Sequence, residues 1–124
     1  YVWSVLFDPP VESSVSQKEI FGPVINVYPY SDINEAIERA NALPFAFQAS
    51  VFAKHIDKVM AVIKQLDAAA VMVNDHTAFR VDWMPFAGLK QSGLGVGGIP
   101  YTMHDMQVDK LIVLRSNRDF RTKI

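Results

Sequence analysis

Between Val24 and Asn74, short β-branched runs alternate with stripes of helical spacing, and this alternation constrains the fold more than any other feature. Val24 to Tyr30 reads as a strand, with Val24, Ile25 and Val27 beside Tyr28 and Tyr30. Asp32 is a good helix N-cap, and Glu35 stands where a capping box would place it. Ile33, Ala36, Ile37, Ala40 and Leu43 then form one apolar stripe that Pro44 ends. Phe47 to Ala53 is a second strand. His55 to Leu66 is a second amphipathic helix, with Ile56, Val59, Met60, Ile63 and Leu66 on one face. Ala68 to Asn74 is a nearly all-apolar third strand, as expected of a strand covered on both faces. Strand, helix, strand, helix, strand predicts an α/β fold: a βαβαβ parallel sheet with right-handed crossover helices.

Outside this block the pattern is weaker. Val2 to Phe7 reads as a strand ended by Asp8-Pro9-Pro10, and Val11 to Lys18 is polar and loop-like. From His76 to Gly98 no period is sustained, and most of the glycines lie there. Pro100 to Met106 fits a short helix, and Lys110 to Arg115 a last strand. That strand has no obvious partner among the earlier ones, so it either returns to the sheet edge or pairs with another chain. Ser116 to Ile124 is a polar, basic tail whose Arg115, Arg118, Arg121 and Lys123 are most simply a solvated end. No internal repeat and no low-complexity segment is present.

Composition excludes several function classes. Half of the 124 residues are hydrophobic, a fifth are charged, and the net charge is -1. This is globular composition and offers no electrostatic reason for a nucleic-acid or membrane partner. A chain of this length buries roughly 65% of its unfolded surface, enough for one domain or a piece of one. With no cysteine, disulfides, zinc-thiolate sites and thiol catalysis are excluded within this chain. No apolar run approaches the ~18 residues of a membrane span. Tyr1-Val2-Trp3-Ser4 lacks the basic start of a signal peptide, so a cytoplasmic location is expected. The absence of an initiating Met and the apolar start read as a fragment.

Several motif matches fail on physical grounds. Gly93-Leu94-Gly95-Val96-Gly97-Gly98 has dinucleotide spacing, but the residues before it are loop-like and too few follow for the remaining strands. A flexible loop is the simpler expectation. His55, His76 and His104 are scattered, and Asp75-His76 with Asp82 matches no metal-ligand spacing. Lys90-Gln91-Ser92-Gly93-Leu94 is not a serine-hydrolase elbow.

Three places retain chemical interest. Glu19 and Phe21 precede the Gly22-Pro23 turn. A carboxylate there can accept both hydroxyls of a ribose, and a ring can brace a flat heterocycle. Taken alone, a surface acid and a core aromatic at a strand entrance is the simpler reading. Arg80 lies just past the third strand, where ligands of parallel α/β sheets gather, among Phe79, Trp83 and Phe86. It fits recognition of an anion in an apolar pocket, or a salt bridge to Asp75 or Asp82.

The third place is Pro85-Phe86-Ala87-Gly88-Leu89-Lys90-Gln91-Ser92-Gly93-Leu94-Gly95. With Gln17-Lys18-Glu19-Ile20-Phe21-Gly22-Pro23-Val24, the capped helix ending in Ala40-Asn41, Ala49-Ser50-Val51-Phe52 and Val73-Asn74, it makes an ordered series. The whole chain resembles the last quarter of an aldehyde dehydrogenase. The resemblance implies that residues 1–106 are the C-terminal part of the catalytic domain and 107–124 a terminal oligomerisation strand and tail. It implies that Glu19 binds the ribose on the nicotinamide side of NAD or NADP, and that Phe21 contacts the nicotinamide end. Phe86 would line the aldehyde tunnel, and the segment from Asn74 to Pro85, with Phe79 and Arg80, would form its mouth. A homo-oligomer through the C-terminal strand is implied too.

The family mechanism is thiolate attack on the aldehyde, hydride transfer to the nicotinamide and hydrolysis of the thioester. Its cysteine, general-base glutamate, oxyanion-hole asparagine and dinucleotide fold have no counterpart among these residues, so the chain alone is expected to be inactive. The alternative is a stand-alone, non-catalytic module of the same fold for subunit association or small-molecule binding. Two departures stand out. Ala87 replaces the first Gly of the usual Gly-Gly pair, so the backbone there must accept a Cβ. Val96-Gly97 stands where the family commonly has Arg-Glu, which would remove an anchoring ion pair. The stretch Asn74 to Met84 resembles members that oxidise small aldehydes with an anionic tail, which is the substrate expected from Arg80.

Overall fold

The computed structural model of the chain describes residues 2–115. It is a mixed α/β structure with parallel strand pairs, as expected. Strand β1 (Ser4–Phe7) pairs in parallel with β2 (Val24–Val27), in register Ser4 to Val24 and Phe7 to Val27. Between them lies α1 (Ser14–Gln17), a single turn in the stretch expected to be a loop. Four residues are too few to show a helical period, and side chains hold this turn: Ser13 and Ser16 each donate a hydroxyl to the Pro10 carbonyl, at 2.7 and 2.8 Å.

Helix α2 (Ile33–Asn41) follows and starts where Asp32 accepts the amide of Asn34 at 3.0 Å. The cap is as expected, but the capping box is not. Glu35 instead accepts Arg39 at 3.0 Å, one turn ahead on the helix surface. Next come β3 (Phe45–Ala46) and β4 (Gln48–Val51). Helix α3 (Ile56–Ile63) packs on β4 and leads to β5 (Ala70–Val73), which pairs with β4 in parallel from Gln48–Ala70 to Val51–Val73. This is a complete βαβ unit. No ladder joins β2 to β4 among the described residues, so the expected three-strand sheet is two separate parallel pairs.

The glycine-containing stretch carries short strand bridges within what was expected to be a loop. Strand β6 (Phe86–Ala87) pairs antiparallel with β8 (Val96–Gly97), and β7 (Leu89–Lys90) pairs antiparallel with β3. Two-residue bridges are too short for any window of periodicity to reveal. Gly88 is required by close approach: a Cβ there would lie 2.5 Å from the Ser92 carbonyl carbon. Ala87 accepts its Cβ on the β6 ladder, with an ordinary negative φ. Gly98, at φ 110°, then caps α4 (Ile99–Asp105).

The core is small. Ile37 of α2, Ala46 of β3, Val59 of α3 and Met72 of β5 are its buried apolar residues, and Val59 is fully enclosed. Many large apolar side chains elsewhere face solvent. The expected strand Lys110–Arg115 is not a strand in the single chain, because no described segment offers it a ladder, and Leu111 to Leu114 are exposed. The expected tail, residues 116–124, lies outside the described residues.

Candidate functional site

The site begins where the parallel pair ends. Asn74 follows β5 in the left-handed region, at φ 54°, a conformation that asparagine tolerates better than most residues. Its side chain works as a peptide surrogate: Oδ1 accepts the Ala53 amide at 2.9 Å, and Nδ2 donates to the Ala53 carbonyl at 3.0 Å. The ends of β4 and β5 are thereby tied together. Ser50 adds a hydroxyl bond to the Asp75 carbonyl at 2.8 Å. The loop of residues 75–85 therefore leaves the carboxyl ends of the pair from a fixed root. Its far end is tied by the Ile99 amide to the Asp82 carbonyl, at 3.1 Å.

This loop brings Arg80 over the ring of Phe86, with 4.2 Å from the guanidinium carbon to the ring centroid. Phe86 also meets Phe47 edge-to-face, at 4.9 Å between centroids and 87° between planes. Neither salt bridge considered for Arg80 forms. Asp75 instead accepts the His76 amide at 2.8 Å, and no described carboxylate reaches Arg80. An exposed guanidinium centred over a ring, with no carboxylate on it, leaves N–H donors for a bidentate acceptor. Phe79, on the same loop, lines an open cleft of about 320 Å³ with Met72, Val73, Asp75 and Met84.

Glu19 and Phe21 lie elsewhere, at the entrance to β2. Both are exposed, Phe21 at 94%, which rules out the core aromatic of the simpler reading. Glu19 makes no hydrogen bond or ion pair among the described residues, and no described contact links either residue to Arg80, Phe79 or Phe86. The structure thus assembles Arg80 with Phe86 and leaves Glu19 and Phe21 as a separate exposed pair. A free carboxylate beside an uncovered ring suits the hydroxyls and flat heterocycle of a nucleotide.

Two features escape sequence reading. Phe47 registers only as the first residue of a strand, since nothing local connects it with Phe86. Lys90 anchors the Pro85–Gly95 segment: Nζ donates to the Asn41 carbonyl at 2.6 Å and the Leu43 carbonyl at 3.3 Å, and pairs with Asp67 at 2.8 Å. These are the free carbonyls at the C-terminal end of α2, a natural seat for a cation. Asn41 completes the junction, donating to the Gln65 carbonyl at 2.7 Å and accepting the Asp67 amide at 2.9 Å. The stretch is therefore anchored by an ion pair within the chain, although Val96-Gly97 offers none.

Comparison with known proteins gives this arrangement its context. The sequence profile of the aldehyde dehydrogenase family matches residues 1–112. The chain belongs to the aldehyde dehydrogenase family. The lactaldehyde dehydrogenase of Methanococcus maripaludis strain S2 is 36% identical over 105 residues, which are 85% of this chain and 23% of that protein. The 3-sulfolactaldehyde dehydrogenase of Priestia megaterium is 32% identical over 114 residues, 92% of this chain and 24% of that protein. Among solved structures, aldehyde dehydrogenase 21 from Physcomitrella patens, in complex with its reaction product succinate, superposes with a TM-score of 0.85. It is 36% identical and covers 94% of this chain, which spans 24% of it. The NADP complex of NADP-dependent glyceraldehyde-3-phosphate dehydrogenase from Bacillus halodurans gives 0.76 at 37% identity, over 80% of this chain and 21% of that one. The chain thus spans about a quarter of the length of these aldehyde dehydrogenases.

Proposed function

We propose that this chain forms the nicotinamide-side and substrate-side walls of an NAD(P)+-dependent aldehyde dehydrogenase that oxidises an aldehyde with an anionic tail to a carboxylic acid. The observation that carries the reading is Arg80, seated 4.2 Å over Phe86 with no carboxylate partner among the described residues. A cation fixed on an aromatic surface, at the carboxyl end of a parallel strand pair, is built to meet an anion. Two of the names fit: 3-sulfolactaldehyde carries a sulfonate, and succinate carries a second carboxylate beyond the one formed by oxidation, whereas lactaldehyde is neutral.

Glu19 and Phe21 fit the cofactor on chemical grounds. The unpaired Glu19 carboxylate would accept ribose hydroxyls, and the uncovered Phe21 ring would brace the nicotinamide end. When bound, the nicotinamide accepts the hydride. In this reading Arg80 orients the aldehyde by its tail, Phe86 and Phe79 line its path, and Glu19 and Phe21 orient the cofactor opposite. Attack on the aldehyde requires the family's cysteine thiolate, and this chain contains no cysteine. The chain alone is therefore inactive in this reading. The segment Lys110–Arg115, with Leu111 to Leu114 at 69–90% exposure, is the proposed contact with a second subunit, and solution mass tests it.

The substrate assignment is tested in the full-length enzyme that carries this segment. Arg80→Ala should raise the Michaelis constant for an anionic aldehyde roughly ten- to a hundred-fold more than for a neutral aldehyde of equal size, as expected for losing a charge-assisted bond. Equal changes for the two substrates would refute anion recognition by Arg80.

A further inference from the structure

The Arg80–Phe86 pair has a third member whose position is fixed independently. The Phe47 backbone is held on two sides. Its carbonyl accepts the amides of Ala69 and Ala70 at 2.8 and 3.3 Å, which ties it to the start of β5. Immediately before it, β3 is clamped to β7: Gln91 donates its amide to the Pro44 carbonyl at 2.9 Å, and the Ala46 amide donates to the Ser92 hydroxyl at 3.0 Å. The Phe86 backbone is also fixed, since β6 lies against β8 so closely that a Cβ added at Gly97 would crowd the Phe86 carbonyl oxygen at 3.3 Å. What remains free at Phe86 is the ring. It is 41% exposed, and a phenyl ring with that much open surface rotates unless a neighbour restrains it.

Phe47 supplies the restraint through the edge-to-face contact at 87°. We propose that Phe47 is a positioning residue for anion recognition: its ring fixes the plane of Phe86, and that plane fixes the direction of the Arg80 donors. This rests on the proposed reading of Arg80 and adds a residue that does not itself touch the aldehyde. The edge-to-face geometry is specific to a ring, because a positive ring edge meets a negative ring face, and an aliphatic side chain of similar volume has no such edge. Leucine at position 47 would fill much of the space and leave the ring of Phe86 free to turn.

The test uses the full-length enzyme carrying this segment and two aldehydes of equal length, one ending in a carboxylate and the other in a primary amide. The readout is the ratio of their Michaelis constants, so a general loss of folding cancels. Phe47→Leu should shift the ratio against the anionic aldehyde by roughly three- to ten-fold, the scale of one aromatic pair. Phe47→Tyr keeps the ring edge and should restore the wild-type ratio, its hydroxyl being accommodated at a position already 36% exposed. On an Arg80→Ala background, Phe47→Leu should shift the ratio no further. An unmoved ratio in Phe47→Leu, or a Phe47→Tyr variant that behaves like leucine, overturns the proposal. Arg80→Ala measured alongside separates the two failures. If Arg80→Ala shifts the ratio and Phe47→Leu does not, the positioning role alone falls. If Arg80→Ala does not shift it, anion recognition falls and the positioning role with it.

Discussion

The segment Pro85–Gly98 and the segment Val108–Leu114 stand for two ways of ordering a chain. The first contains little that is deeply buried, yet almost every turn of it is tied to another element. Lys90 reaches the end of α2 and Asp67, Gln91 and Ser92 hold Pro44 and Ala46, and Phe86 carries two side-chain partners. The second is strongly apolar and tied to nothing described: Val108, Leu111, Ile112, Val113 and Leu114 are 69–93% exposed. Apolar content alone therefore does not mark where this chain holds itself together. In the first segment, polar bonds at specific backbone positions set the geometry. In the second, hydrophobic surface stays open to solvent, and burying such a run is favourable only where another surface covers it.

The sharpest way to break the first segment is Gly88→Ala. A Cβ at 88 would sit 2.5 to 2.7 Å from the backbone of Ser92 and Gly93, and backbone cannot swing aside as a side chain can. The turn must open, and β6 and β7 lose their relative placement. A destabilisation of about 3 kcal/mol is expected, at the upper end of overpacking changes. Urea unfolding of the chain measures it, and a loss below about 1 kcal/mol would mean that the turn relaxes at little cost. A smaller effect is expected from Lys90→Met, which keeps the aliphatic stem and removes the donors. The ion pair with Asp67 is partly solvated, but the bonds to the carbonyls of α2 are charge-assisted. A loss of about 1–2 kcal/mol should appear locally, as roughly tenfold faster hydrogen exchange at the Gln91 and Ser92 amides. Faster exchange spread evenly over the chain would argue against a local clamp.

Legibility from sequence divides along the same line. Helices α2 and α3 and the strands around them were readable because each carries a period long enough to see: Ile33, Ala36 and Ile37 in one, Val59 and Ile63 in the other. The capping box failed because Glu35 has two possible partners, and Arg39 one turn ahead outcompetes the backbone amide. The single three-strand sheet failed because period predicts strands, whereas pairing depends on what lies between them in space. Bridges β6, β7 and β8 were invisible, being two residues each. At the site, the position of Arg80 past the third strand indicated its neighbourhood but not its partner. The choice between a salt bridge and a stacked cation rests on where Asp75 points, which the loop sets. Phe47 was unreadable for a related reason: its contact with Phe86 depends on the β3–β7 clamp, the tie to the start of β5 and the β6–β8 pair, none of them local in sequence. Glu19 and Phe21 were legible as a motif, yet no described residue covers or pairs with them.

The mildest expected change in stability is also the one that most sharpens the contrast. Replacing Leu111 and Val113 together by Glu puts two charges where the side chains are already 87% and 80% exposed. Nothing is desolvated and no described hydrogen bond is lost, so the stability of the single chain should change by less than about 0.5 kcal/mol. Association should respond in the opposite way. If Lys110–Arg115 covers itself by pairing with a second subunit, two buried charges without partners at that contact cost several kcal/mol, roughly a hundred-fold or more in the dissociation constant. Sedimentation of the wild-type chain should then show species heavier than the monomer, and the double variant should sediment as a monomer. A wild-type chain that stays monomeric at high concentration would mean that this surface is not a subunit contact. A double variant that associates as readily as the wild type would place the contact elsewhere, with Trp3, just before β1, and Phe7 of β1, 74% and 72% exposed, the next surface to alter. The clamp in Pro85–Gly98 should be indifferent to either result, because every bond that holds it is made within one chain.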